Sequence, residues 1–280
     1  MRTIETGEIT ENIKEMCIEA NHVLSADMSQ MMKEAVRTEE SPLGKQILEQ
    51  LQDNLCIAKR DMIPICQDTG MTVVFMEIGQ DVHVTGGDLT DAVNEGVRQG
   101  YMHGYLRKSV VKDPLLRENT KDNTPAVIHF GIIPGDRLKI TVAPKGFGSE
   151  NMSRVFMLKP ADGIEGVKDA ILTAVKDAGP NACPPMVVGV GIGGTFEKCA
   201  LMAKHALARP IDLRSEIPYV RELEEEMLSR INKTGIGPGG LGGTTTALAV
   251  NIETYPTHIA GLPVAVNICC HVNRHVVRVL

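Results

Sequence analysis

The stretch PPMVVGVGIGGTFEKCALMAKHALA, residues 184–208, decides how the fold is read. Its first eleven residues form a short β-branched run ending in glycines, the pattern of a buried strand. Thr195–Ala208 reads as a helix, with Cys199 on it as a core residue. Gly189, Gly191 and Gly194 satisfy G-x-G-x-x-G between that strand and that helix, which is the context of a dinucleotide fingerprint, and Asp212 lies 18 residues past Gly194. Against a nucleotide, the unit sits late in the chain and Asp212 does not end a clear second strand. The same pattern also recurs at Gly237, Gly239 and Gly242, in a chain with 27 glycines. A carboxylate or other anion held by backbone N–H groups, or tight turns alone, are the milder readings of both loops.

Outward from this stretch the chain alternates helices and strands. Residues 9–40 read as one helix, with Ile9, Ile13, Met16, Ala20, Val23 and Leu24 at helical spacing. A second helix opens at Ser41 as N-cap and Pro42 at its first position. MTVVFMEIG (71–79) reads as a strand, and residues 86–106 as a helix capped by Asp88. AVIHFGIIPGDRLKITVAP (126–144) has two apolar runs around Pro134-Gly135-Asp136 and predicts a hairpin. GIEGVKDAILTAVKDAGP is a helix stopped by Gly179 and Pro180, and PYVRELEEEMLSRINKTGIG is another that ends at Gly235. A glycine-rich loop, GIGPGGLGGTTT, then leads to apolar strands reaching residue 268. No repeat or convincing linker interrupts this order. The expectation is one α+β domain over residues 1–280, a mixed sheet flanked by helices; the polar RENTKDNTP near residue 120 is the only hint of a subdivision.

Composition narrows the function classes. With 280 residues, 43% apolar and 23% charged, the chain is long enough for a sizeable core. A net charge of −6 argues against a general grip on nucleic acid or anionic membranes, and 3% aromatics with no Trp argues against a base-stacking surface. The polar start MRTIETGEIT resembles no signal peptide and no apolar run reaches membrane-span length, so a cytoplasmic protein is expected. Seven cysteines in a reducing compartment invite a metal or catalytic reading more than a disulfide framework.

Cys17 and Cys56 fall on helical apolar faces and read as core. Cys66 in PICQDTG, Cys183 in GPNACPPM, and Cys269-Cys270 before HVNRH stand instead in loops at element ends. This spacing is neither a zinc ribbon nor a ferredoxin pattern. Three separated thiolates would suit a [4Fe–4S] cluster with one open iron, a Lewis acid for C–O cleavage. Of the histidines, His22, His83, His129 and His205 read as structural, and His258 and His271 stand near the last cysteine pair.

Taken together, ICQDTG, LRKSVVKDP, PKGFGSENMS, NACPP, VGIGGTFEKCALMAKHAL, GLGGTTTALAVNIETYPTHIAGLPVAVN and CHVNRH resemble, in order, the iron–sulfur hydro-lyases of the class I fumarase and tartrate dehydratase family. The resemblance runs from about residue 40 to the C-terminus. It implies a [4Fe–4S] cluster on Cys66, Cys183 and Cys270, with Cys269 one out of register. His271 and His275 depart from the family's aromatic and second arginine at the rim of the site. It also implies that Gln67, Asp68, Arg107, Gly146, Gly148, His258 and Arg274 handle the substrate, with Arg107 suited to a bidentate carboxylate grip and Asp68 the candidate for proton handling. Single-chain members continue into a second part where this chain ends, so the resemblance implies an α subunit that needs a β subunit, a dicarboxylate substrate and an oligomeric enzyme. The expected activity is fumarate hydration to (S)-malate, with L-tartrate dehydration as the alternative within the family. A non-catalytic iron–sulfur sensor is the alternative outside it.

Overall fold

The computed structural model describes residues 2–280. In chain order its strands are β1 (Arg2–Glu5), β2 (Met71–Gly79), β3 (Val82–Thr85), β4 (Val127–Ile133), β5 (Leu138–Lys145), β6 (Arg154–Leu158), β7 (Met186–Gly193), β8 (Ala247–Tyr255), β9 (Leu262–Cys269) and β10 (Val276–Val279). The helices are α1 (Thr6–His22), α2 (Ala26–Thr38), α3 (Pro42–Asp61), α4 (Leu89–His103), α5 (Phe147–Glu150), α6 (Gly163–Ala178), α7 (Phe196–Ala206) and α8 (Pro218–Asn232). The chain forms two compact units. One takes the chain up to Ser25, Leu55–Phe147 and Arg274–Leu280; the other takes Ala26–Asn54 and Gly148–Asn273. Residue 120 lies inside the first, so the polar stretch there marks no boundary.

In the first unit a four-stranded sheet runs in the order β10-β5-β2-β4, with β2 parallel to β4 and antiparallel to β5. The predicted hairpin is therefore wrong in pairing though right in strands: β2 lies between β4 and β5. The reason is burial. Val73, Val74, Phe75 and Met76 of β2 are all buried and demand a central position, whereas Phe130 and Ile132 of β4 are 51% and 66% exposed, as on an edge. The Pro134–Asp136 turn arches over the end of β2, where Gly79 N donates to Arg137 O and Asp81 N to Gly135 O, both at 2.9 Å. A Cβ on Gly79 would lie 2.4 Å from Gly135 O, so only glycine lets the turn pass. α1 and α4 cover the sheet through Ile9, Ile13, Met16, Cys17, Val93, Val97 and Tyr101. Val23 is extended (φ −134°, ψ 121°) and ends α1, so the single helix expected over 9–40 is two helices.

In the second unit the sheet order is β6-β9-β7-β8, with β7 parallel to β8 and antiparallel to β9. One face buries Val188, Val190, Val250, Ile252, Val264 and Val266 against Ile171, Val175, Leu223 and Met227 of α6 and α8. On the other face sits α7, with Cys199, Met202 and Ala203 against Ala265. Gly189 and Gly191 lie within β7, where added Cβ atoms would stand 2.2 Å from Ala203 O and 2.1 Å from Cys199 O. Those glycines serve backbone-to-backbone packing of α7 on β7. The architecture is α+β with mixed sheets flanked by helices. Among the described residues no helix is long and apolar enough to cross a membrane.

Candidate functional site

The first unit brings Cys66, Gln67, Asp68, Arg107, Gly146 and Arg274 to one group of loops. Ile65 is buried, and its N–H donates to Asn21 O at 2.9 Å, which fixes the entry to the loop. Cys66 is half-buried, and its Sγ accepts the Asp68 N–H at 3.4 Å. Tyr101, wholly buried, donates its hydroxyl to Thr69 O at 2.7 Å and Gly70 O at 3.0 Å. Burial pushes its ionisation far up, so the group stays a donor. Asn123, also buried, adds Nδ2 to Gly70 O at 3.1 Å and accepts Ser109 N at 2.7 Å on Oδ1. Thr69 Oγ1 donates to Arg107 O at 3.1 Å, so the Arg107 backbone is tied to the cysteine loop while its side chain stays exposed.

Asp68 faces the PKGFG loop. Its Oδ1 accepts Gly70 N at 3.0 Å and its Oδ2 accepts Phe147 N at 2.8 Å. A Cβ on Gly146 would come within 3.1 Å of Asp68 Oδ2, which is the close approach the sequence glycine permits. Arg274 is only 5% exposed and turned inward: Nη2 donates to Asp68 O and Nε to Pro144 O, while Nη1 is buried with no hydrogen-bond partner. The guanidinium thus straps the cysteine loop to the strand end before Gly146.

The second unit brings Cys183 and Cys270 together. Cys183 is exposed and left-handed (φ 50°) at the end of the 3-10 turn Gly179–Ala182. Its carbonyl accepts His271 Nδ1–H at 3.0 Å, which fixes that ring's tautomer. Cys269 is buried as the last residue of β9, paired with Val187, whereas Cys270 is half-buried just past the strand and next to His271. Gly148 opens this unit, exposed on the short helix α5. His258 stands elsewhere. It lines a cleft of about 500 Å³ with Ile164, Tyr219, Tyr255 and Ile259 beside Gly193, at the C-terminal end of β7. Cys183 precedes the other end, so the eight residues of β7 separate the two by roughly 23 Å.

Two residues that hold these loops escape sequence reading. Asn123 sits in the polar stretch that hinted at a subdivision, and Glu39 in a helix end. The glycine-rich loop does grip a carboxylate through backbone N–H groups, but it is Glu39's own: Thr244 N donates at 2.8 Å and Thr245 N at 2.7 Å. Cys17 and Cys199 are buried as expected, whereas Cys56 is exposed because it faces outward on α3.

All seven cysteines are thiols. Among the described residues no three His, Cys, Asp or Glu side chains are grouped to hold a single metal ion. The donor chemistry of the loop thiols, soft sulfur with an N–H on Cys66 Sγ, fits an iron–sulfur cluster, in which each thiolate takes a different iron. Fold and loops define an α+β protein that presents thiols, carboxylate-binding donors and glycine turns at strand ends. The family model described as Fumarate hydratase (Fumerase) matches residues 10–279, and the chain belongs to that family. It is similar to a Methanocaldococcus jannaschii protein named "Putative L(+)-tartrate dehydratase subunit alpha", 40% identical over 97% of each chain. It is also similar to the "L(+)-tartrate dehydratase subunit alpha" of Escherichia coli (strain K12), 31% identical over 96% of this chain and 89% of that protein.

Proposed function

We propose that this chain is the α subunit of a two-subunit hydro-lyase acting on L(+)-tartrate, removing a hydroxyl from one carbon and a proton from its neighbour. The carrying observation is the near full-length likeness to chains named α subunits of L(+)-tartrate dehydratase. That likeness favours tartrate over the fumarate hydration expected first from the sequence. The family description keeps fumarate and malate as the second reading.

In this reading Cys66, Cys183 and Cys270 hold a [4Fe–4S] cluster. When bound, it supplies a Lewis-acidic iron for the departing hydroxyl. Arg107, exposed and anchored at its carbonyl by Thr69, grips a substrate carboxylate with its guanidinium fork. Gln67 and the backbone of Gly146 and Gly148 contact the substrate's polar groups. Asp68 has one lone pair on each oxygen engaged and keeps the others for a proton. Arg274 acts by holding the loops of Asp68 and Pro144 in register. His258 is the seventh residue that the resemblance nominates for substrate, and its cleft keeps it apart from Cys183 and Cys270. A β subunit supplies the remaining groups.

The test is to coproduce the chain with its β subunit without oxygen, reconstitute iron and sulfide, and compare turnover of tartrate, malate and fumarate. Tartrate turnover lost in Arg107→Ala is expected. Malate and fumarate turnover without tartrate turnover would reverse the substrate assignment. A four-iron chromophore with no turnover of any of the three would instead support a sensor.

A further inference from the structure

Glu39 lies outside every motif quoted above, yet the residue is only 7% exposed and its carboxylate receives four hydrogen bonds. Oε1 accepts Ser41 N at 2.9 Å, Thr244 N at 2.8 Å and Thr244 Oγ1 at 3.2 Å, and Oε2 accepts Thr245 N at 2.7 Å. Space for it is cut from both sides by glycine. A Cβ on Gly243 would stand 2.7 Å from Oε1, and one on Gly44 3.1 Å from Cδ. A buried carboxylate is tolerated only when its lone pairs are filled, and here backbone N–H groups fill them.

What Glu39 organises is the glycine-rich loop, and that loop is the floor of the Cys183 turn. Gly239 N donates to Pro184 O at 2.9 Å, directly after Cys183. Gly240 packs so tightly that a Cβ would lie 2.3 Å from Pro180 Cβ, at the start of the same turn. Gly237 N donates to Thr246 Oγ1 at 3.1 Å, and Thr246 O accepts Met186 N at 2.8 Å. The loop therefore touches the cysteine turn on both sides of residue 183, at Pro180 before it and at Pro184 and Met186 after it. Most of the loop's glycines have positive φ and hold no conformation by themselves. The Glu39 carboxylate supplies the fixed point.

We propose that Glu39 is a positioning residue for Cys183: its carboxylate locks the Gly237–Thr246 loop, and the loop sets the turn that presents the Cys183 thiol for cluster ligation. The inference rests on the iron–sulfur reading above for its purpose, but not for its test. Glu39→Gln keeps the volume and replaces one acceptor oxygen with an NH2 that opposes a backbone N–H. Glu39→Asp is the conservative control, because it retains the charge on a shorter stem.

The first measurements use apo protein, so they do not depend on a cluster. Hydrogen exchange at Gly239, Thr244 and Thr245, and alkylation rates of Cys183 relative to Cys66, are compared in wild type, Glu39→Gln and Glu39→Asp. In Glu39→Gln, exchange at those amides rises about tenfold or more and the Cys183:Cys66 rate ratio changes several-fold, with partial restoration in Glu39→Asp; circular dichroism reports that the fold is intact. Unchanged exchange at Gly239 and an unchanged rate ratio in a folded Glu39→Gln protein overturn the proposal. If the variant unfolds, Thr244→Gly and Thr245→Gly, which keep the backbone donors to Glu39, are compared with Gly239→Pro, which removes the donor to Pro184 O; an unaltered Cys183 rate in Gly239→Pro also overturns it. Anaerobic reconstitution then follows iron retention and the EPR spectrum. Wild type that takes up no cluster refutes the iron–sulfur reading alone. A loaded wild type and a Glu39→Gln protein with identical spectra and iron loss refute the positioning role alone.

Discussion

The glycine pair in β7 offers the sharpest test of how this fold is built, through Gly191→Ala. A Cβ at 191 would stand 2.1 Å from Cys199 O, 2.8 Å from Ala203 N and 2.9 Å from Met202 Cβ. Ordinary contact begins near 3.4 Å, so the Cys199 carbonyl must retreat by the difference from 2.1 Å, 1.3 Å. The obstacle is helix backbone, which cannot swing aside as a side-chain end can. All of α7 must lift from a sheet to which it contributes Cys199, Met202 and Ala203. Overpacking of this kind costs about 1–3 kcal/mol. Alanine's smaller unfolded-state entropy returns only about 0.4–1 kcal/mol, leaving a net loss of about 1–2 kcal/mol. Gly7, on α1 with nothing within 4 Å of its would-be Cβ, is the control. Gly7→Ala should be neutral or stabilising by up to about 1 kcal/mol. Urea unfolding followed by circular dichroism gives the midpoints, and alkylation of buried Cys199 reports whether α7 has lifted. A Gly191→Ala protein with an unchanged midpoint and a protected Cys199 would refute the packing argument. Weakened NAD(H) binding in that stable protein would return the stretch to a nucleotide loop.

Other consequences follow from the loop supports. Tyr101→Phe strips the hydroxyl donor from Thr69 O and Gly70 O; Gly70 O keeps Asn123, so the loss should be about 1–3 kcal/mol in urea, with faster alkylation of Cys66, and a change below about 0.5 kcal/mol would mean that water replaces the hydroxyl. Asp68→Asn leaves one of two backbone donors facing an NH2, so amide exchange at Gly70 or Phe147 should rise several-fold; protection equal to wild type at both would show that the carboxylate does not hold the loops. Burial opposes ionisation of Asp122, but hydrogen bonds from Thr124 and Arg98 prevail and hold its carboxyl at about 2. Its folded value lies below the unfolded one near 3.9, so it stabilises above about pH 4 and the contribution is lost as pH falls toward 2. Asp122→Asn should therefore cost about 2 kcal/mol at pH 7 and much less at pH 2, as measured by urea midpoints; equal losses at both would sink the linkage argument.

The sequence by itself determined much of this protein. Local signals placed the helix that Ser41 caps, where Gly44 N donates to Ser41 Oγ at 3.2 Å, and the one Asp88 caps, with Asp91 N at 2.9 Å. Apolar runs located β2 as a strand and β7 as a buried one, and the ordered motifs identified the family before any contact was known. Those are properties of neighbours in the chain. Pairing is not: β2 separates β4 from β5 because burial ranks the three strands, and burial is set by helices far away in sequence. The short strands β1, β3, β6 and β10 have too few residues for periodicity to register, and form only because a partner edge is waiting. The same holds for function. Whether a glycine frees a loop or admits a helix depends on what stands opposite it, which at Gly191 is Cys199 O. An anion-gripping loop was legible in GGLGGTTT, but that its anion is Glu39, some 205 residues earlier, is a fact of tertiary structure alone.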